Sequence, residues 1–149
     1  MIFIDTNVFV VALRYPRDRN AAANARFLAA LRKRGDGVTS VVNVLETCGV
    51  LSFNLSLRQL RALYVYFDCH FAVEVVGAPS KQTLVPASPE EILGYLGRRL
   101  SFGDALVAYA VETWIPQASA FVSWDAPHFA GKIAPRAFTP AEFLDQPPS

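Results

Sequence analysis

Short apolar runs recur along the chain between longer stretches in which apolar and polar residues alternate at helical spacing. Runs such as Ile2–Ile4 contain β-favouring residues without polar alternation, which is typical of strands buried on both faces of a parallel sheet. The runs predict about five strands: Ile2–Ile4, Val38–Thr39, Phe71–Val75, Phe121–Ser123 and one near Ala137.

The stretches between these runs predict helices. Residues 21–34 and 101–114 place apolar side chains three and four positions apart, as a helix with one buried face requires. Polar residues that cap helices mark further starts, because their side chains accept hydrogen bonds from the first turn. Proline and glutamate follow two of these residues in capping-box order. The predicted caps are Ser40, Ser56, Ser88 and Thr139, with Asn20 or Asp18 before the helix at 21–34.

Strands that alternate with helices imply parallel crossover units with helices on both faces of the sheet. The predicted fold class is therefore α/β, with three α/β/α layers. One domain over residues 1–149 is expected, with a polar loop at 14–20 and a frayed tail at 146–149. Ligands of such folds bind at the carboxyl ends of the strands, so the residues that follow each strand are the first candidates for a site.

Composition narrows the class of protein. Of the 149 residues, 52% are apolar and 18% are charged, which excludes a disordered chain. No run approaches the ~20 apolar residues of a membrane span, and an acid at position 5 is foreign to a secretory signal. A cytoplasmic protein without a membrane partner is expected. The net charge of +1 is too small to hold nucleic acid by bulk electrostatics, so phosphate would have to bind a local patch or cations.

Four acids stand out by their surroundings. Asp5 directly follows the first strand, and Asp125 follows the fourth with one residue between. Glu46 lies inside an otherwise apolar helix, and Asp104 lies in the first turn of another. Carboxylates in such places are costly to desolvate unless they are hydrogen-bonded, paired or bound to a cation. Plainer roles stay open. Asp5 can cap a turn, Asp104 can be a first-turn acid that the helix dipole favours, and Glu46 and Asp125 can be solvated.

Carboxylates held close together repel and raise one another's pKa. A divalent cation resolves that repulsion, and Mg²⁺ and Mn²⁺ prefer oxygen ligands. If the four acids meet above one edge of the sheet, they predict a Mg²⁺ or Mn²⁺ site. Such a site can activate water for attack on phosphorus.

The motifs around these acids resemble, in order and context, those of PIN-domain ribonucleases, and most of all the toxins of VapBC-type toxin–antitoxin pairs. The resemblance spans nearly the whole chain. The segments that carry it are Ile2–Val8, Asn43–Glu46, Phe102–Ala108 and Phe121–Asp125, with Phe129 following.

The resemblance implies a strand order of 3-2-1-4-5 and a four-acid site for Mg²⁺ or Mn²⁺. The implied reaction is cleavage of single-stranded or looped RNA by metal-activated water. The implied partners are the RNA substrate, an antitoxin protein and a second copy of the chain. The residues to which it assigns metal ligation and catalysis are Asp5, Glu46, Asp104 and Asp125, with Asn7 and Ser123 in support.

The dimer surface is expected on the apolar helix that carries Leu60, Leu63, Tyr64 and Phe67, which has more apolar surface than one buried face needs.

Two other functions stay open. A phosphatase of the haloacid dehalogenase type would use Asp5 as its nucleophile, although its second acid would then fall at Asn7. A PIN-like module without catalysis would only bind RNA or a partner. The basic loop with Arg14, Arg17 and Arg19 can guide an RNA backbone or be plain solvated surface.

Two further groups were considered for the site. His128 lies three residues after Asp125, and the two can form a histidine–carboxylate pair, although a surface histidine is the simpler interpretation. Glu112 lies two helical turns beyond Asp104 and is a possible fifth acid.

Overall fold

The computed structural model describes residues 1–77 and 87–146. Within these residues, no helix is long and apolar enough to cross a membrane. The strands are β1 (Ile2–Ile4), β2 (Gly37–Ser40), β3 (Glu74–Val76), β4 (Ala120–Val122) and β5 (Arg136–Phe138). The helices are α1 (Thr6–Arg14), α2 (Ala21–Arg34), α3 (Val41–Leu51), α4 (Leu57–Val65), α5 (Phe67–Phe71), α6 (Pro89–Gly97), α7 (Phe102–Trp114), α8 (Ala126–Phe129) and α9 (Pro140–Asp145).

The strands form one parallel sheet in the order β3-β2-β1-β4-β5. β1 is central, and its Phe3 is in register with Val38 of β2 and Phe121 of β4. The predicted fold class and the strand order implied by the resemblance are both confirmed. Because β1 is central, the residue that follows it lies in the middle of the edge where ligands of such folds bind.

Two apolar cores lie on opposite faces of the sheet, because successive side chains of a strand point to opposite faces. Ile2 and Ile4 pack in one core with Phe9 of α1 and Phe27 of α2. Phe3 packs in the other core, among residues of α6 and α7. Helices therefore cover both faces of the sheet, as the three-layer prediction requires.

α1 begins directly after β1, at a place where the sequence analysis predicted no helix. Its residues Thr6–Val11 are mostly β-branched or aromatic, and such residues have modest helix propensity. Val8 and Phe9 are nevertheless fully buried in the core, and this burial outweighs the weak local preference.

The predicted strand Phe71–Val75 is wrong in its first half. Phe71 is the last residue of α5, and β3 begins only at Glu74. The ring of Phe71 packs 4.7 Å from that of Phe9 and 4.9 Å from that of Phe67, measured between centroids. Ala72, in the left-handed region with φ 55°, then turns the chain into β3. This aromatic cluster, which sequence periodicity does not reveal, decided the boundary.

Four of the predicted helix caps are confirmed, and three of them form reciprocal capping boxes. The cap predicted for α2 is wrong, because Asn20 precedes that helix without a side-chain capping hydrogen bond. The side chains of Ser40, Ser56, Ser88 and Thr139 each accept a hydrogen bond from the first turn of their helix. Residues 147–149 of the predicted tail lie outside the described residues. That residues 1–149 form one domain stays a prediction.

Candidate active site

Asp5 lies where β1 ends and α1 begins, and its side chain is 6% exposed. Its Oδ1 caps α1 by accepting a hydrogen bond from the Thr6 backbone N–H at 2.8 Å. Its Oδ2 accepts one from the Ser123 hydroxyl, also at 2.8 Å. Asp5 therefore does act as a cap. These hydrogen bonds satisfy only part of the hydrogen-bonding capacity of its buried carboxylate.

Burial raises the pKa of Asp5 to about 7, because a charged carboxylate loses its hydration there. The hydrogen bonds from Ser123 and Thr6 act in the opposite direction, and the charges of Glu46 and Asp104 add a smaller upward effect. The predicted rise in pKa is confirmed for Asp5. Its main cause is desolvation, whereas the sequence analysis expected mutual repulsion.

Glu46, on α3, is exposed, as a solvated helix-edge acid would be. Its Oε2 nevertheless accepts a hydrogen bond from the Thr6 hydroxyl. That hydroxyl in turn accepts a hydrogen bond from Asn43 Nδ2 at 3.0 Å, and Asn43 Oδ1 accepts one from the Ser40 hydroxyl at 2.5 Å. The Ser40–Asn43–Thr6 chain of hydrogen bonds therefore points the Thr6 proton at Glu46.

Thr6 and Asn43 were missed as site residues by the sequence analysis. Both are buried, and Asn43 Nδ2 also lies 3.3 Å from Asp5 Oδ1. The only sequence signal for them was their position beside Asp5 and Glu46 in the two motifs that carry the resemblance.

Asp104 lies in the first turn of α7, where the Ser101 hydroxyl donates to its Oδ2 at 2.6 Å. Gly103 brings this turn close to α3, since a Cβ on Gly103 would lie 3.2 Å from Glu46 Oε1. Ser101 is the cap of α7, and Asp104 combines the first-turn position that the helix dipole favours with a place beside another acid.

His128 pairs with Asp104, although the sequence analysis considered a pair with Asp125. Its Nε2 is buried and lies 3.3 Å from Asp104 Oδ2, and within the described residues it has no hydrogen-bond partner. The backbone N–H of His128 donates to the Asp125 carbonyl at 3.0 Å, and the next residue, Phe129, packs against Phe121 with ring centroids 4.6 Å apart.

Three of the four predicted acids line one open pocket at the carboxyl edge of the sheet. Asp125 is exposed and is not among its lining residues. The pocket is lined by Asp5, Thr6, Asn7, Val10, Glu46, Val50 and Asp104.

Hydrogen bonds of Asn7 and Ser123 link the backbone at Trp124 and Asp125 to the region of Asp5. Asn7 Nδ2 donates to the Ser123 hydroxyl at 2.9 Å, and Asn7 Oδ1 accepts from the Trp124 backbone N–H at 2.9 Å. The Ser123 oxygen also accepts a hydrogen bond from the backbone N–H of Asp125 at 2.9 Å. These bonds hold the end of β4 against the end of β1, while the Asp125 carboxylate itself faces solvent.

The side-chain atoms of the pocket that can ligate a metal are all oxygens, which suits a hard cation such as Mg²⁺ or Mn²⁺. Across residues 1–77 and 87–146, no three acidic, histidine or cysteine side chains are arranged closely enough to hold an ion by themselves. Mg²⁺ ordinarily takes one or two carboxylates and completes its shell with water. The buried Asp5, with its raised pKa, fits such a role together with one neighbouring acid.

The chain is similar to a known protein family in sequence and to known structures in fold. A family model of the PIN domain matches residues 2–112. A structure of FitAB bound to an IR36 DNA fragment is similar, with TM-score 0.59 and 20% identity, over 95% of this chain and 96% of that one. A crystal structure of VapBC2 from Rickettsia felis bound to a DNA fragment from their promoter has TM-score 0.56 and 16% identity, over 93% and 99%. At these identities the two structures support the fold alone. No curated protein sequence matches the chain.

Proposed function

Because this chain belongs to the PIN domain family, we propose that it is a divalent-metal-dependent endoribonuclease. The proposed substrate is single-stranded or looped RNA. The observation that carries the proposal is the pocket at the end of β1, where the buried Asp5 lies with Glu46 and Asp104. A buried carboxylate whose pKa is raised to about 7 is a costly feature, and a cation that binds it would offset that cost.

We assign the binding of Mg²⁺ or Mn²⁺ to Asp5, Glu46 and Asp104, of which at least two would contact the ion directly while water completes the shell. Asp125 completes the proposed set from the rim, where its exposed side chain can approach solvent ligands or a substrate phosphate. When bound, the ion activates water as the nucleophile and stabilises charge on the phosphate. The attack of water leaves the 2′-hydroxyl unused, so the expected products carry a 5′-phosphate and a 3′-hydroxyl.

Other residues position these acids. Thr6 holds the Glu46 carboxylate through its hydroxyl, and Asn43 fixes the orientation of that hydroxyl. Ser123 holds Asp5, and Asn7 holds Ser123. Groups that orient metal ligands in this way typically change metal affinity or activity by ~10–100-fold when they are removed.

A phosphatase that uses Asp5 as its nucleophile has little support. The position at which such an enzyme needs its second acid is Asn7, and the Asn7 amide is occupied by Ser123 and the Trp124 backbone. A module that only binds RNA or a partner would bind the metal ion without cleaving RNA.

We further propose that the protein is a cytoplasmic toxin held by an antitoxin partner, and that it forms a homodimer. α4 has no buried residue in this structure, and its Leu57, Tyr64 and Val65 are exposed. Phe67, which was expected on the same surface, is instead a core residue of α5. An antitoxin segment laid across the acidic pocket would silence the enzyme, with an arginine against the carboxylates.

The test is cleavage of a labelled single-stranded RNA with Mg²⁺, with Mn²⁺ and with EDTA, followed by end-group analysis. Cleavage in either metal, none in EDTA, and 5′-phosphate ends are expected. Glu90→Gln, which alters an exposed acid of α6 that is not among the residues lining the pocket, is the matched control and should cleave normally. Full activity in EDTA or a 2′,3′-cyclic phosphate product would refute the mechanism.

A further inference from the structure

α1 and the segment that begins with α3 lie side by side, and the pocket that holds the acids extends along the seam between them as far as Val10 and Val50. Three pairs of residues, each with members 40 positions apart, mark successive levels of it. Thr6 is hydrogen-bonded to Glu46 at the first level, and Arg14 to Asn54 at the third. Val10 and Val50 line the pocket at the level between. The constant offset means that the two segments run side by side in the same direction, and we call the channel between them the α1–α3 groove.

The far end of the α1–α3 groove is aromatic and basic. Phe53, beside Asn54, is 87% exposed, and Tyr15, beside Arg14, is 46% exposed. Arg14 Nε donates to the Tyr15 hydroxyl at 3.2 Å, and its guanidinium lies 5.7 Å from the centre of that ring. Arg14 is therefore held in place between α1 and the end of α3, beside the exposed rings of Tyr15 and Phe53.

The loop that leaves α1 adds positive charge to the same end. Arg17 and Arg19 are exposed there, with Asp18 as the single acid between them. The acids at the first level and the arginines at the third give the groove opposite charges at its two ends. The overall net charge of +1 conceals this separation.

The length of the groove can be expressed as a number of nucleotides of single-stranded RNA. Eight residues separate Thr6 from Arg14, which corresponds to ~12 Å along a helix that rises ~1.5 Å per residue. Stacked nucleotides in one strand are spaced by ~3.4 Å, so ~12 Å covers three to four nucleotide steps.

We propose that the far end of the α1–α3 groove is an RNA subsite three to four nucleotides from the bond that is cut. An unpaired base stacks on Phe53 or Tyr15 there, and Arg14 binds a backbone phosphate. Aromatic faces beside basic side chains are the recognition chemistry of single-stranded nucleic acid. This inference rests on the proposed function, because the polarity of the groove has a meaning for RNA only if the acids cut it.

A protein segment is the competing occupant, because arginine and aromatic residues also favour protein interfaces. RNA is favoured by the continuity of the groove with the acidic pocket and by the arginines in the loop after α1. A protein occupant is kept as an outcome of the test.

The experiment measures the affinity of the full chain for a series of fluorescent oligouridylates of 3 to 12 nucleotides, in EDTA so that no cleavage occurs. For the unaltered protein, affinity should rise in a step at four to five nucleotides. Phe53→Ala should remove the step and lower the ratio of 12-mer to 3-mer affinity by about tenfold, the scale of one stacked base. Because Phe53 is almost fully exposed, this variant should fold.

Arg14→Gln provides a second variant. It should reduce the slope of log affinity against log salt for the 12-mer by about 0.7, the share of one phosphate contact in a single strand. The controls are Leu93→Ala, an exposed apolar residue of α6, and Arg26→Gln, an exposed arginine of α2. Both controls should keep the length step.

A length step that survives Phe53→Ala would overturn the subsite, and so would a Phe53→Ala variant whose only change is a lower sedimentation mass, which would indicate a protein interface. Cleavage assays in Mg²⁺ separate the two proposals. If the unaltered chain cuts no RNA but shows the step, the proposed function fails, and what stands is an RNA-binding site at Phe53 and Arg14 without a position relative to a cleaved bond. If it cuts RNA without any step, only the subsite fails.

Discussion

Two buried or half-buried carboxylates, Asp5 and Glu112, meet opposite surroundings in this molecule. Glu112, whose side chain is 18% exposed, accepts hydrogen bonds from the Tyr95 hydroxyl at 2.8 Å, from Arg98 Nη1 at 3.0 Å and from the Ala134 backbone N–H at 2.8 Å. Asp5 accepts only neutral donors, and the charged groups that act on it are two further acids.

The pKa effects show the same difference. Around Glu112, burial and the neighbouring carboxylate raise the pKa of Tyr95 to about 12, so the phenol stays a hydrogen-bond donor. At Asp5, burial raises the pKa of the carboxylate to about 7, and among the described residues the charged groups that shift it are the acids Glu46 and Asp104. A carboxylate with a full set of partners stabilises the fold, whereas one left uncompensated is available to a ligand. Glu112, considered as a fifth acid of the site, therefore joins α6, α7 and the loop before β5.

The largest expected effect is the loss of RNA cleavage when an acid of the pocket is changed. Asp5→Asn and Asp104→Asn preserve shape but remove the charge that would hold the cation, so RNA cleavage should fall by at least ~1,000-fold, in keeping with a loss of several kcal/mol of metal stabilisation. Single-turnover cleavage of a labelled RNA measures this. Cleavage by Asp5→Asn within tenfold of the parent would remove Asp5 from the catalytic machinery.

The next effect concerns stability against pH. The folded-state pKa of Asp5, about 7, lies above its ordinary value of 3.8, so the folded protein binds this proton more tightly than the unfolded chain does. The contribution of the protonated Asp5 to the free energy of unfolding is fully present below pH ~4. It is lost as pH rises to ~7, for a total of up to about 4 kcal/mol.

Urea unfolding of the metal-free protein between pH 4 and 8 tests this sign. The parent should lose stability relative to Asp5→Asn over that range, and Mg²⁺ should restore part of the loss at pH 8. Parallel pH profiles for the two proteins would show that the buried carboxylate carries no such cost.

The third effect concerns the Thr6 hydroxyl, which donates a hydrogen bond to Glu46. Thr6→Val removes the donor to Glu46 at nearly constant volume, so cleavage should fall by ~10–100-fold. Thr6→Ser keeps a hydroxyl and should restore most of the rate. The affinity for Mn²⁺, measured by electron paramagnetic resonance, should fall with Thr6→Val as well. An equal loss in the valine and serine variants would mean that packing, not the hydrogen bond, is responsible.

The fourth effect is expected at the compensated acid. Glu112→Gln leaves Arg98 without its ionic partner and should lower the free energy of unfolding by about 1–2 kcal/mol. The rate of cleavage per folded molecule should stay within twofold of the parent, because Glu112 touches no residue of the acidic pocket in the described contacts. A fall in rate as large as that of Asp104→Asn would erase the distinction between the two acids.

The smallest effect is expected at His128. Its imidazole lies beside Asp104, yet the proposed chemistry takes its nucleophile from metal-activated water and needs no histidine base. His128→Ala should therefore change the rate by less than about threefold. A loss above tenfold with unchanged Mn²⁺ affinity would assign the imidazole a direct part in the reaction.

The sequence by itself determined the architecture, because the signals involved are local. The apolar run Ile2–Ile4 lies in a strand because a strand covered on both faces has no polar position, and the capping side chains act within three residues of themselves. The resemblance then supplied the strand order, and the acids that it named include the three that share the pocket.

The tertiary structure alone decided which side chains meet. Thr6 and Glu46 are 40 residues apart, His128 is 24 residues from Asp104, and Glu112 binds partners on both sides of it along the chain. Helix α1 forms from strand-favouring residues because the core buries Val8 and Phe9. Contacts of this kind depend on how the helices pack on the sheet, and packing is a property of many residues at once that no local pattern records.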